Sequence, residues 1–331
     1  MLISRAVRAV IIGAGWIAEE HAAILRRLDS VELAAVCDID ETRARALAGE
    51  APAYTDWREL VERESPDCVF VCTPPLLHRE PTVEALGRGI HVYLEKPIAR
   101  GLDDARSIVD AAERAKAVCA VGYQWRAVEV LDDLRSALEG QELGLLIGIG
   151  TGPTKSRSWF LDRAQGGGNM LERASHGIDL ERAVGGEVVA VQATAGSVPL
   201  AQSAGERGDI EDAATIALRF ANGAVGSTTI AWTRDGLPGK YSLDVLGSES
   251  SLHLELDPEF TLTGVSRGQT IDARSTQHPI ERGVERFLEA AAAADPARVF
   301  CTPRDAAGTL ATVVACEQAL VDGRTVPVES L

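Results

Sequence analysis

Several things are scarce in this 331-residue sequence, and each shortage excludes a class of function. No apolar run approaches the roughly 18 residues that a membrane-spanning helix needs. Residues 1–12 lack the small-residue cleavage site of a signal peptide, so a cytoplasmic location is expected. The six cysteines (Cys37, Cys68, Cys72, Cys119, Cys301 and Cys316) form no CxxC pair and no Cys/His cluster with zinc spacing. They read as buried thiols of a reducing compartment, and no metal is expected. Lysine occurs only at Lys96, Lys116, Lys155 and Lys240, and 33 basic residues face 49 acidic ones for a net charge of −16. So acidic a chain is a poor polyanion ligand, which excludes non-specific nucleic-acid binding. No internal repeat or low-complexity linker is present.

What is there is apolar mass, 46% of the residues, enough for about two domains of roughly 100–200 residues. Up to residue 122 two periods alternate. Continuous apolar runs at 7–12, 31–37, 67–72, 90–94 and 117–122 read as strands buried on both faces. Helical spacing fills 16–28, 40–49, 56–63, 76–87 and 102–116, with Asp40 and Asp56 as N-caps. That alternation predicts parallel βαβ units in a doubly wound sheet. After residue 123 the pattern changes. Helices are expected at 128–138 and 171–184, and 148–168 reads as loop with strand pieces. Strands follow at 188–195, 213–220, 224–232, 241–247 and 250–256, with Asn222–Gly223 as a hairpin turn. Strands in succession predict a mostly antiparallel sheet, closed by helices at 280–293 and 303–321. The expected division is a dinucleotide domain at 1–122 and an α+β substrate domain at 123–331.

The dinucleotide reading rests on Gly13-Ala14-Gly15-Trp16-Ile17-Ala18, a GxGxxA turn between a strand and a helix. Glycines permit the tight turn and the close approach of a pyrophosphate, and the helix start supplies N–H donors. Asp38 ends the second strand, where a carboxylate accepts from the adenosine ribose and repels a 2′-phosphate, so NAD is expected over NADP. Thr73 and Pro74 follow the third long strand and are expected at the crevice. His78, one helical turn on, is either a further cofactor contact or structural. Glu95 and Lys96 follow the next strand. Lys96 has the charge to stabilise an alkoxide during hydride transfer, and Glu95 can bond the nicotinamide ribose or hold Lys96. Downstream, Gly166-Gly167-Gly168 precedes Glu172, His176 and Asp179. Glu172 and His176 are four apart on one helix face, and a histidine suits proton abstraction from an alcohol.

In this combination, GAGWIA, Thr73-Pro74, Glu95-Lys96-Pro97, Gly122-Tyr123-Gln124-Trp125-Arg126 and GGGxxxExxxHxxD, the chain resembles the Gfo/Idh/MocA oxidoreductases along essentially its whole length. The resemblance implies a Rossmann domain, a second domain on a large open sheet, and a helix near 303–321 packing back toward the first domain. It implies Lys96 and His176 as the catalytic pair, with Glu172 where sugar and inositol dehydrogenases usually carry Asp and Ala174 where Gly is common. Gln124 and Arg126 match the polar pair after the last Rossmann strand, Gln124 on the cofactor side and Arg126 on the substrate side. Trp125 and Trp159 are candidate substrate walls, as is Trp232, and Arg163 and Arg157 candidate contacts for an anionic substrate. The implied reaction is NAD-dependent oxidation of a secondary alcohol on a sugar, polyol, inositol or cyclic diol. The implied assembly is a homodimer or homotetramer through the second sheet. Two other readings stay open: a glycoside-cleaving enzyme that retains NAD, and a non-catalytic NAD-binding sensor.

Overall fold

A computed structural model describes residues 5–153, 162–197, 210–234 and 236–331 and divides into two units. The first takes the chain up to Tyr123 together with Ile280–Ala306; the second takes Gln124–Pro279 and Ala307–Leu331. The break after Tyr123 lies one residue from the expected division, whereas Ile280–Ala306, expected in the second domain, groups with the first. Packing explains this. Val284, Phe287 and Ala290 form one helix face and join the core around Phe70 and Tyr93. The Phe287 ring lies edge-on to both, at 5.7 and 5.5 Å.

The first unit runs β1 (Val7–Ile12), α1 (Trp16–Arg27), β2 (Val31–Cys37), α2 (Glu41–Ala48), β3 (Ala53–Tyr54), α3 (Trp57–Glu64), β4 (Cys68–Val71), α4 (Arg79–Gly87), β5 (His91–Leu94), α5 (Leu102–Arg114) and β6 (Cys119–Val121). The strands are parallel in the order β3-β2-β1-β4-β5-β6, a Rossmann sheet. Only the two-residue β3 goes unread in the sequence, being too short to show a period. Asp40 and Asp56 cap α2 and α3, accepting from the backbone N–H groups of Thr42 and Arg43 and of Arg58. The strand order reverses between β1 and β4, so ligands are expected beyond their C-terminal ends.

The second unit runs α6 (Val130–Leu138), β7 (Leu143–Pro153), α7 (Arg163–Gly166), α8 (Ser175–Gly185), β8 (Val188–Gly196), β9 (Ala213–Phe220), β10 (Val225–Thr233), β11 (Lys240–Gly247), β12 (Ser250–Asp257), β13 (Thr261–Ser266) and β14 (Gln269–Arg274). Next come α9 (Pro279–Ala293), which lies in the first unit from Ile280 on, α10 (Pro303–Asp322), which enters the second unit at Ala307, and β15 (Val326–Pro327). Among the described residues nine strands form a sheet in the order β14-β13-β12-β11-β7-β10-β9-β8-β15, antiparallel except between β7 and β10. The hairpin at Asn222–Gly223 is present, with Gly223 at φ +93°.

Two expectations are refined here. Residues 148–153, expected as part of a loop with strand pieces, are the second half of β7, a continuous central strand of this sheet that starts at Leu143. Glycine at every second position reads as turn chemistry. In the fold Gly148, Gly150 and Gly152 share a buried face because side chains from elsewhere occupy the space a Cβ would take. That Cβ would lie 2.6 Å from Glu181 Oε1, 3.1 Å from Tyr241 Cε1 and 3.2 Å from Arg173 Nη1, respectively. The helix expected at 171–184 is also not uniform: Met170–Ala174 form a π-helical turn that leads into α8. Single π turns of this kind are frequent at functional sites. No helix among the described residues is long and apolar enough to cross a membrane.

Candidate active site

In the first unit, Ile12, Val71 and Leu94 pair in register, so the segments that leave β1, β4 and β5 emerge side by side. Gly13 follows β1 at φ +95°, and a Cβ there would sit 2.7 Å from the backbone carbonyl of Cys72. Only glycine fits such a conformation and approach. At Gly15, which caps α1, a Cβ would meet nothing within 4 Å. The space in front of the helix N-terminus is open to a ligand. Trp16, 42% exposed, stands beside it, and Ile17 is half-buried. Asp38 Oδ2 accepts from the Ala14 N–H at 2.7 Å, and Oδ1 from the Asp40 N–H at 2.9 Å. The carboxylate therefore also holds the glycine turn in place, while its remaining lone pairs suit ribose hydroxyls. Ile39, next to it, is 91% exposed, an apolar surface suited to an adenine face. The Thr73 hydroxyl is buried without a hydrogen-bond partner, and Pro74 continues in extended geometry. A glycine cradle, an unpartnered hydroxyl and a ribose-type carboxylate on one sheet edge fit a dinucleotide.

His78 is fully buried behind this edge. Its Nε2 lies 2.8 Å from the Thr73 carbonyl and its Nδ1 3.0 Å from that of Pro97, so it ties the two segments together. Burial pushes its pKa down from the ordinary histidine value. Glu95 is also buried, packed against Gly122. It accepts from His21 Nε2 at 2.8 Å and from the Lys96 N–H at 3.1 Å. Lys96 itself is half-buried. His21 escaped the sequence reading; its signal is a histidine within the buried stripe Ala18, Ala22, Leu25 of α1.

In the second unit, Gln124, Trp125 and Arg126 lie on a 3₁₀ turn, Gln124 half-buried and the other two buried. Glu172 on the π turn and His176 on the first turn of α8 are both half-buried. The Trp125 ring lies 4.9 Å from the His176 ring and 4.8 Å from the Tyr241 ring, between the two. Arg126 makes a bidentate pair with Asp179 at 2.7 and 2.9 Å. Arg173 donates to the Tyr241 hydroxyl and to the carbonyls of Gly152 and Pro153. Burial raises the Tyr241 pKa while Arg173 opposes the shift. Arg163 pairs with Glu211 at 2.5 Å, and Glu211 also accepts from the Met170 N–H at 2.7 Å, fixing the start of the π turn. Arg173, Glu211 and Tyr241 carried no sequence signal, since their partners lie far off in the chain. Trp232 is a core residue, 1% exposed. Arg157 and Trp159 lie outside the described residues. Among the described residues no three His, Cys, Asp or Glu side chains gather as a metal site.

Comparison with known proteins bears on the same two segments. Residues 7–123 match a model described as an oxidoreductase family with an NAD-binding Rossmann fold, and residues 147–253 match the GFO/IDH/MocA C-terminal domain. A myo-inositol 2-dehydrogenase from Thermotoga maritima is 28% identical over 288 residues, 86% of this chain and 85% of the relative. A 1,5-anhydro-D-fructose reductase from Ensifer adhaerens is 31% identical over 255 residues, 73% of this chain and 74% of the relative. Among solved structures, the WlbA dehydrogenase from Bordetella pertussis in complex with NADH and UDP-GlcNAcA superposes with a TM-score of 0.81. It is 22% identical, with 98% of this chain and 99% of that one covered.

Proposed function

The chain belongs to the GFO/IDH/MocA family and is an NAD-dependent oxidoreductase, and from this premise we propose that it interconverts a secondary alcohol and a ketone on a sugar, polyol, inositol or cyclic diol. One observation carries the reading. Lys96 leaves β5 beside Thr73 after β4, and β4 in turn lies beside β1 with its glycine turn, along the edge where a parallel sheet binds its dinucleotide. Relatives named for myo-inositol and for an anhydro-sugar support the substrate class.

Bound NAD supplies the hydride acceptor. This chain supplies positioning and charge. Asp38 receives the adenosine ribose and disfavours a 2′-phosphate, so NAD is preferred over NADP. Gly13 and Gly15 admit the pyrophosphate, with Trp16, Ile17, Thr73, Pro74 and Gln124 as further contacts. His78 and Glu95 act through the backbone segments they hold. Lys96 sets its ammonium against the substrate oxygen on which negative charge develops. His176 takes the hydroxyl proton, and Glu172 orients the imidazole or a neighbouring hydroxyl. Arg163 and Trp159 remain proposed substrate contacts. The half-buried face of β7 that carries Leu145, Ile147 and Ile149 suits pairing with a second copy, as a homodimer or homotetramer.

The test is absorbance at 340 nm with NAD, and in parallel with NADP, across inositols, aldoses, sugar acids and cyclic diols. We expect NADH from one class, with turnover falling at least about 100-fold in Lys96→Ala and in His176→Ala. Full turnover in Lys96→Ala would refute the assignment. Cleavage of a glycoside without net NADH would instead favour a retained-cofactor hydrolase, and NAD binding with no turnover a sensor.

A further inference from the structure

Asp179, the last residue of the GGGxxxExxxHxxD pattern, has no part in the proposed chemistry, yet it is 1% exposed and among the most heavily bonded side chains of the second unit. Its Oδ2 accepts from Arg126 Nε at 2.7 Å. Its Oδ1 accepts from Arg126 Nη2 at 2.9 Å and from the Thr309 hydroxyl at 2.8 Å. Arg182, one turn along α8, donates to the same hydroxyl at 2.8 Å. Arg126 is 7% exposed and Thr309 0%. Gly308 leaves the room beside them that the guanidinium takes: a Cβ there would lie 2.3 Å from Arg182 Nη2.

These bonds join three elements: the 3₁₀ turn with Arg126, helix α8 with Asp179, and α10 with Thr309. The neighbours of the bonded residues give the cluster its meaning. Trp125 precedes Arg126 on the turn, His176 precedes Asp179 by one turn of helix, and these two rings are themselves in contact at 4.9 Å. A planar, bidentate guanidinium–carboxylate pair restrains rotation as well as distance. We infer that the Arg126–Asp179–Thr309 cluster is the positioning device for His176: it locks the turn carrying Trp125 onto the helix carrying His176, so that the indole fixes the plane of the imidazole. Arg126 is then a positioning residue, and Trp125 a backstop to His176 as well as a candidate wall for substrate. Two of the places where the chain passes between units, after Tyr123 and after Ala306, lie within three residues of cluster members. The turn and α10 are therefore anchored to α8 soon after the chain enters the second unit. The role assigned to His176 rests on the function proposed above; the geometric lock does not.

The test separates positioning from stability. Removing one member of a buried ion pair destabilises a fold, whereas exchanging both for apolar residues of similar volume often restores it. We therefore compare Arg126→Met/Asp179→Leu with wild type as the full chain loaded with NAD. The first readout is the rate at which diethyl pyrocarbonate modifies His176, followed by mass spectrometry with His278 as an exposed reference. The inference expects wild-type thermal stability and NAD affinity in the double variant, but a His176 rate at least fivefold higher. Thr309→Val should raise that rate two- to threefold and Thr309→Ser should restore it. A His176 rate within twofold of wild type in the stable double variant overturns the inference. If the double variant does not fold, the Thr309 pair decides: equal rates in Val and Ser overturn it. Where a substrate is in hand, kcat should fall at least tenfold in the double variant, more than KM rises. A changed His176 rate in a protein whose wild type oxidises nothing would leave the positioning intact and remove the proposed reaction.

Discussion

Two glycine-rich stretches follow similar rules in the sequence and opposite ones in the fold. Gly15 leaves space in front of a helix, where nothing beyond its own chain neighbours comes within 4 Å of where a Cβ would be, while at Gly13 the backbone of Cys72 takes that place. Gly148, Gly150 and Gly152 also lack side chains, but the protein fills the gap itself with Glu181, Tyr241 and Arg173. The room at Gly15 is left open, and the room along β7 is kept for packing. A parallel sheet covered on both faces has only its strand ends to offer chemistry. An antiparallel sheet can have chemistry laid over one face, and the glycines of β7 let α8 and its neighbours settle close to it.

The contrast breaks most severely at Glu181, the occupant of the second gap. It is fully buried and takes a hydrogen bond from Thr228 at 2.5 Å on Oε1, while Oε2 has no partner. Burial pushes its pKa up from 4.5 to about 8. The folded state thus holds a proton that the unfolded chain has released. Its contribution is fully present below about pH 4.5, falls as pH rises, and is spent above about pH 8. In Glu181→Gln that fall, about 1 kcal/mol per pH unit, should disappear from denaturant midpoints between pH 5 and 8. An unchanged slope would mean the carboxyl titrates normally. Gly148→Ala should come next, because its Cβ would press to 2.6 Å from Glu181 Oε1. A loss of about 1–3 kcal/mol is expected, with NAD affinity unchanged. Gly15→Ala should do the reverse: denaturant stability within about 0.5 kcal/mol of wild type, and NAD affinity by calorimetry reduced at least about tenfold.

The same contrast explains what was legible. The first unit is legible almost element by element, because buried parallel strands are continuous apolar runs and its candidate site residues follow strand ends in chain order. Gly13, Asp38, Thr73 and Lys96 all announce themselves by adjacency. What was missed there, His21 against Glu95, is a contact across 74 positions with no local trace. In the second unit β9, β10 and β12 alternate cleanly and β8 and β11 in part, enough for each to be legible as a strand. β7 is hidden by glycines whose reason lies on other elements, and the edge strand β14 and its neighbour β13 carry too few buried residues to stand out. The π turn at Met170–Ala174 has no sequence code beyond the helix it interrupts. Ion pairs such as Arg126–Asp179 become visible only once the fold has brought their elements together. Helix α9 is legible as a helix, but amphipathicity shows that a face is buried and not against what; from Ile280 on it groups with the first unit.

The six cysteines are all unpaired and buried. Burial lifts the thiols of Cys37 and Cys119 to about 12, and those of Cys68, Cys72 and Cys316 upward as well. A thiol in that condition reacts with alkylating reagents only when the structure around it opens. Five belong to the first unit and Cys316 alone to the second. The chain therefore carries two built-in clocks: the labelling time of Cys316 reports how often the second unit opens, and that of the other five how often the first does, without any engineered residue.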